Sequence, residues 1–252
     1  MRKILYSIVL LFICSVTFAP AARELSQWYA QRVLYIGDSL SVGPFGREMQ
    51  EFLTNSFNDR RVHLYAACGS SPEHWLQGEP SFVTKCGYRV KTPSKTAHYD
   101  YERGRAPELY STPKIEDLLK EVKPTLVIVQ LGTNWFDRVE QMPTPEEMER
   151  IQAILFRFTD TIQNADSKPR LIWVTPPDSA RYKRVQGGIT KMIRSAGKLK
   201  KFLVIDSSGM VHYTMGSSGG DGVHYSGPDA IRWAEGVITT ITKYAQSGFS
   251  FY

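Results

Sequence analysis

The sequence predicts an α/β protein: a three-layer α/β/α sandwich around a central, mostly parallel five-stranded sheet. Two observations lead there. Short runs rich in Val, Ile and Leu alternate with longer stretches of helical periodicity, the pattern of a parallel sheet with crossover helices. Each run then passes into polar or Gly-bearing residues, which mark a loop.

Taken in order, the strands are Arg32 to Ile36, Val62 to Ala66, Thr125 to Gln130, Leu171 to Thr175 and Phe202 to Ile205. Thr112-Pro113 opens a helix that ends near Lys123-Pro124. Thr144-Pro145-Glu146-Glu147 has the form of a capping box with Pro at the first helical position, and that helix is expected to run to about Asn164. The last helix starts near Pro228 and carries Ile231, Ala234, Val237, Ile238 and Ile241 as an apolar stripe. Between the second and third strands, an insertion at about 70–112 shows no clear periodicity and holds Trp75, Tyr88, Tyr99, Tyr101 and Tyr110. Structureless segments of that length are uncommon unless they are functional.

With 252 residues, 42% of them hydrophobic and 12% aromatic, the chain can bury a sizeable core. Its 19 Gly and 14 Pro are dispersed, which argues against disorder, a collagen-like repeat or a heptad rod. No internal repeat or linker interrupts residues 22–252, so a single domain is expected there.

Residues 1–21 read as a secretory signal peptide, with Arg2-Lys3, an apolar run from Ile4 to Phe18 and the small-residue pattern Ala19-Pro20-Ala21. Its removal leaves no expected stable membrane insertion and places the mature chain in the periplasm or outside the cell. It also leaves 29 basic against 25 acidic residues, a surplus too small and scattered to suggest a nucleic-acid partner. Cys14 departs with the signal, and Cys68 and Cys86 remain as an even pair in an oxidising compartment, where a disulfide between them is expected.

The first strand ends in Gly37-Asp38-Ser39-Leu40, a serine at a strand-to-helix turn. Alone it is weak, because Ser and Asp at such a place also serve as helix caps. The later strands lead to Cys68-Gly69-Ser70, Gly132-Thr133-Asn134-Trp135 and Asp221-Gly222-Val223-His224. In a parallel alternating fold these loops gather at the carboxyl ends of the strands, where such sheets bind ligands. In this order and spacing the four segments resemble the four blocks of the SGNH (GDSL-type) hydrolase family, over about residues 31 to 245.

The resemblance implies a flavodoxin-like SGNH fold and a secreted serine esterase with Ser39 as nucleophile, His224 as base and Asp221 as its orienting carboxylate. It further implies an oxyanion hole made by the Ser39 and Gly69 backbone N–H groups and the Asn134 amide. Asp38 is expected to hydrogen-bond the neighbouring backbone. The family often continues from Asn into Asp, whereas Trp135 stands here and is expected, with Trp75, to contact substrate.

His63 and His212 are expected to be partly buried and structural, and His74 and His98 to lie at the surface or against substrate. No pair of histidines has metal-ligand spacing, so neither a metal nor another cofactor is expected. Secretion and an aromatic insertion favour a carbohydrate or cell-wall glycan carrying an O-acetyl ester, the partner being that ester substrate. The same acyl-enzyme suits an O-acetyltransferase, and a non-catalytic glycan-binding module would keep the fold without turnover. Acyl group, alcohol and oligomeric state are left open by the sequence.

Overall fold

The computed structural model describes residues 28, 30–78, 82–100 and 106–248. The expected signal segment, 1–21, lies outside them, as does Tyr101. The strands are β1 (Val33–Gly37), β2 (Val62–Ala67), β3 (Val83–Thr84), β4 (Gly87–Lys91), β5 (Thr96–Asp100), β6 (Tyr110–Ser111), β7 (Leu126–Gln130), β8 (Arg170–Val174) and β9 (Leu203–Ile205). The helices are α1 (Ser39–Val42), α2 (Pro44–Ser56), α3 (Pro72–Gln77), α4 (Ile115–Val122), α5 (Thr133–Gln141), α6 (Pro145–Gln163), α7 (Gln186–Lys200) and α8 (Gly227–Gln246).

The five strands expected from sequence form a parallel block, β2-β1-β7-β8-β9. The expectation of five strands in the sheet needs correction, because the insertion adds two more. Its hairpin β4–β5 pairs antiparallel on the outer edge of β2, giving seven strands in the order β5-β4-β2-β1-β7-β8-β9, while β3 and β6 pair separately. Two basic residues hide β4 from a hydrophobic-pattern reading, since Arg89 and Lys91 are each only 7% exposed. Such charges can be buried only when they are paired. Arg89 donates twice to the Val42 carbonyl, at 3.1 and 2.8 Å, and Lys91 Nζ meets Asp59 at 2.8 Å and the Thr92 carbonyl at 3.0 Å.

Alternation along the strands divides the core between the two faces of the sheet. Leu34, Ile36, Val127, Val129 and Trp173 pack against α4, α5, α6 and α7. Val33, Tyr35, Leu64, Ile128 and Ile172 pack against α2 and α8. Every residue of β1 and β7 is buried, as befits central strands covered on both sides.

At the start of α6, Thr144 Oγ1 accepts the Glu147 N–H at 3.2 Å, but the Glu147 carboxylate turns to Arg138, so only half of the expected capping box forms. On α8 the buried stripe is Trp233, Ala234, Val237 and Ile241, with Ile231 and Ile238 at its margins. No described helix is long and apolar enough to cross a membrane.

Candidate active site

The strand-to-helix turn after β1 presents Ser39 as the first residue of α1. Asp38 caps that turn, its Oδ1 accepting the Leu40 N–H at 3.0 Å, as its neighbourhood in sequence suggests. Glycine is required at two places nearby. A Cβ on Gly37 would lie 2.3 Å from the Ser41 side chain, and one on Gly46 would lie 1.6 Å from the Ser41 carbonyl oxygen. Ser41 itself is buried, donating to Gln130 Oε1 at 2.7 Å and lying 2.6 Å from the Tyr35 hydroxyl.

From the far end of the chain, the loop before α8 brings His224 to this serine. His224 Nε2 is 2.8 Å from Ser39 Oγ, and Nδ1 is 2.5 Å from Asp221 Oδ2. A carboxylate facing Nδ1 places the ring proton there, leaving the Nε2 lone pair to accept from the serine hydroxyl. Asp221 Oδ1 also accepts the backbone N–H groups of Val223 at 2.9 Å and His224 at 2.8 Å. Burial pushes the Asp221 carboxyl up, but the His224 side chain and these backbone donors outweigh it and hold its pKa below the ordinary value. Asp38 goes the other way: complete burial raises it to about 6, against the opposing pull of Leu40, Thr133, His224 and Gln130.

The loop that leads into Asp221 is held by Ser218. The Ser218 hydroxyl accepts from Thr214 N–H at 2.9 Å and donates to Asp229 at 2.5 Å. Gly222 has φ +81°, with Arg181 backbone 3.0 Å from where a Cβ would be, so the turn between Asp221 and His224 is closed to larger residues. Tyr213 supports the same turn, its hydroxyl accepting the Gly222 N–H at 3.1 Å.

Gly69 follows β2 with φ +81°, and Asn134 lies in the first turn of α5. Ser70 joins the three loops, a role that nothing in its sequence context announces beyond its place beside Gly69. Its carbonyl accepts from Asn134 Nδ2 at 2.7 Å, and its buried hydroxyl donates to the Gly37 carbonyl at 3.3 Å and accepts from Trp75 Nε1 at 3.1 Å. Cys68 and Cys86 are bonded, which ties the residue before Gly69 to the start of β4. A cleft of about 540 Å³ opens beside Ser39 and His224, with the disulfide, Val42 and Asp100 among its lining. A groove of about 780 Å³ between α4 and α6 is larger but lies away from serine and histidine, so chemistry favours the smaller one.

Both tryptophans expected to touch substrate are wholly buried, and that expectation is corrected. Trp75 packs beneath the loop that its indole holds through Ser70, and Trp135 turns inward to donate to Glu73 Oε2 at 3.1 Å. Each indole N–H finds an acceptor, Ser70 for Trp75 and Glu73 for Trp135, which lets the ring be buried. The aromatic beside Gly69 is instead Phe82, whose ring lies 3.5 Å from where a Gly69 Cβ would stand and stacks on His74. His74 Nδ1 accepts the Ser71 N–H at 3.0 Å, which makes it a cap for α3. His212 is 83% exposed rather than partly buried, and His63 is partly buried as expected. Among the described residues, no group of three His, Cys, Asp or Glu side chains is placed to hold a metal ion.

Sheet order and flanking helices define an α/β fold with a mostly parallel central sheet, and solved structures share it. A peptidoglycan O-acetylesterase superimposes with TM-score 0.57 at 13% identity, over 89% of this chain and 95% of that one. An acetylxylan esterase from Geobacillus stearothermophilus, solved as a catalytic mutant, gives 0.55 at 13% identity over 84% and 94%. A carbohydrate acetylesterase family member from Sinorhizobium meliloti gives 0.54 at 13% identity over 85% and 99%. No protein-family model and no curated protein sequence matches the chain. At these identities the likeness is one of fold.

Proposed function

We propose that this chain is a serine esterase that removes O-acetyl groups from the hydroxyls of a carbohydrate, with a cell-wall glycan as the favoured substrate. The observation that carries the reading is the hydrogen-bonded line from Asp221 through His224 to Ser39. Ser39 attacks the ester carbonyl while His224 Nε2 takes its proton, so a neutral hydroxyl becomes a competent nucleophile only as the bond forms. Asp221 holds the ring and stabilises the imidazolium that results.

The oxyanion is received by the N–H of Ser39 in the first turn of a helix, where such groups lack intrahelical acceptors, by the N–H of Gly69 and by the Asn134 amide. His224 then returns the proton to the departing sugar hydroxyl. Water, deprotonated by the same imidazole, attacks the acetyl-Ser39 ester, releasing acetate and restoring the serine. The glycan preference is supported by the three structural neighbours, a carbohydrate acetylesterase, an acetylxylan esterase and a peptidoglycan O-acetylesterase. Export is supported by the N-terminal signal pattern and by the disulfide.

The test is hydrolysis of p-nitrophenyl acetate and of an O-acetylated glycan by the protein lacking residues 1–21. Ser39→Ala is expected to lower kcat by at least about 10³-fold, and a fluorophosphonate is expected to label the peptide that contains Ser39. A Ser39→Ala protein that retains the full rate sinks the proposal. Acetylated acceptor in place of free acetate would redirect it to acyl transfer.

A further inference from the structure

We propose that Glu73 and Trp135 are positioning residues for Asn134, a carboxylate–indole tie between α3 and α5 that sets where the Asn134 amide delivers its N–H to the reacting oxygen. The inference rests on the esterase reading above. It starts from where the two oxyanion loops end: the Gly69 loop runs directly into α3, which carries Glu73, and Asn134 sits on α5 one residue before Trp135.

Glu73 grips α5 at two points one turn apart. Its Oε2 accepts the Trp135 indole N–H at 3.1 Å, and its Oε1 pairs with the Arg138 guanidinium. The other arm of Arg138 pairs with Glu147 of α6, which is only 6% exposed. Glu73 is 14% exposed, so its carboxylate is shielded from water and held by charged and neutral donors together. Hydrogen bonds to ionised groups in such places are the strong ones.

The tie bears on chemistry through the geometry of one amide. The Asn134 amide nitrogen carries two N–H groups in a plane, and the Ser70 carbonyl takes one of them at 2.7 Å. With that bond made, the direction of the second N–H is fixed by where α5 stands relative to the Ser70 loop. Glu73 sets that relation, being three residues beyond Ser70 and bonded to the residue after Asn134. An oxyanion donor acts over a narrow range of distance, so a small shift of α5 weakens it without disturbing substrate binding.

The experiment is a double-mutant cycle read in kcat and KM on p-nitrophenyl acetate, using the protein lacking residues 1–21. Trp135→Phe, which removes the indole N–H and keeps most of the volume, is expected to lower kcat about 5- to 20-fold with KM within about twofold. Asn134→Ala is expected to lower kcat about 100-fold, and adding Trp135→Phe to it to cause no further loss. Glu73→Ala should behave like Trp135→Phe, and Glu73→Gln, which keeps an oxygen for the indole, should recover most of the rate.

A merely structural tie would lower kcat by the same factor whether or not Asn134 is present. That multiplicative result, or wild-type kcat in both Trp135→Phe and Glu73→Ala, overturns the proposal. Should Trp135→Phe not fold, the Glu73→Ala and Glu73→Gln pair runs the same cycle against Asn134→Ala. Wild-type protein without turnover, by contrast, overturns the esterase reading and this inference with it.

Discussion

Two aspartates close to the nucleophile show how one residue type is shifted in opposite directions by neighbouring environments. Asp221 is half exposed and collects four hydrogen bonds, so it stays ionised. Asp38 is fully buried, and burial outweighs its hydrogen bonds and raises its pKa to about 6. A carboxyl raised in the folded state stabilises the fold below its unfolded pKa, and that contribution is lost as pH climbs through about 6. Asparagine at 38 can still cap the Leu40 N–H but does not titrate. The stability of wild type minus that of Asp38→Asn is therefore expected to fall by about 2 kcal/mol between pH 4 and pH 7, measured by chemical denaturation. A difference that is flat with pH would mean that Asp38 is not perturbed. Ser39, His224, Asp221, Gly69 and Asn134 were legible as residue types at family-like spacing, whereas Ser70 and Glu73 were not. Their importance lies in which backbone carbonyl or indole they meet, and no local pattern encodes that.

Between elements, the insertion is the main departure from expectation. Its hairpin extends the sheet beyond β2, and the Cys68–Cys86 bond fastens it next to Gly69. Cys68 N–H also donates to the Gly87 carbonyl at 2.9 Å, so backbone and sulfur act at the same junction. With 18 residues of separation, loss of the bridge is expected to cost about 3 kcal/mol. Thermal melts with and without reductant should show the wild type dropping to the melting temperature of the Cys68→Ser, Cys86→Ser double variant, which reductant leaves unchanged. Equal wild-type melts in both conditions would remove the bridge from the account of stability. The hairpin escaped a pattern reading because buried Arg89 and Lys91 interrupt the apolar alternation that identifies a strand.

At the scale of the whole molecule, the sheet separates two apolar layers that share no side chains across it. Ile151 of α6 lies in one layer and Ile172 of β8 in the other, both fully buried. Each change to Ala is expected to cost about 2 to 5 kcal/mol. Because the sites face opposite sides of the sheet, the double variant should cost the sum to within about 0.5 kcal/mol, in a single urea transition. Two separate transitions would show that the layers fold independently.

Sequence alone determined the parallel core and the chemical groups at the mouth, because periodicity and strand-end loops are local properties that each segment carries with it. Only the tertiary structure decided that the sheet has seven strands, that Trp75 and Trp135 face inward, and that Asn134 is tied to Ser70 and Trp135 to Glu73. Those outcomes depend on which distant partner satisfies a buried polar group, and that choice exists only once the chain has closed on itself.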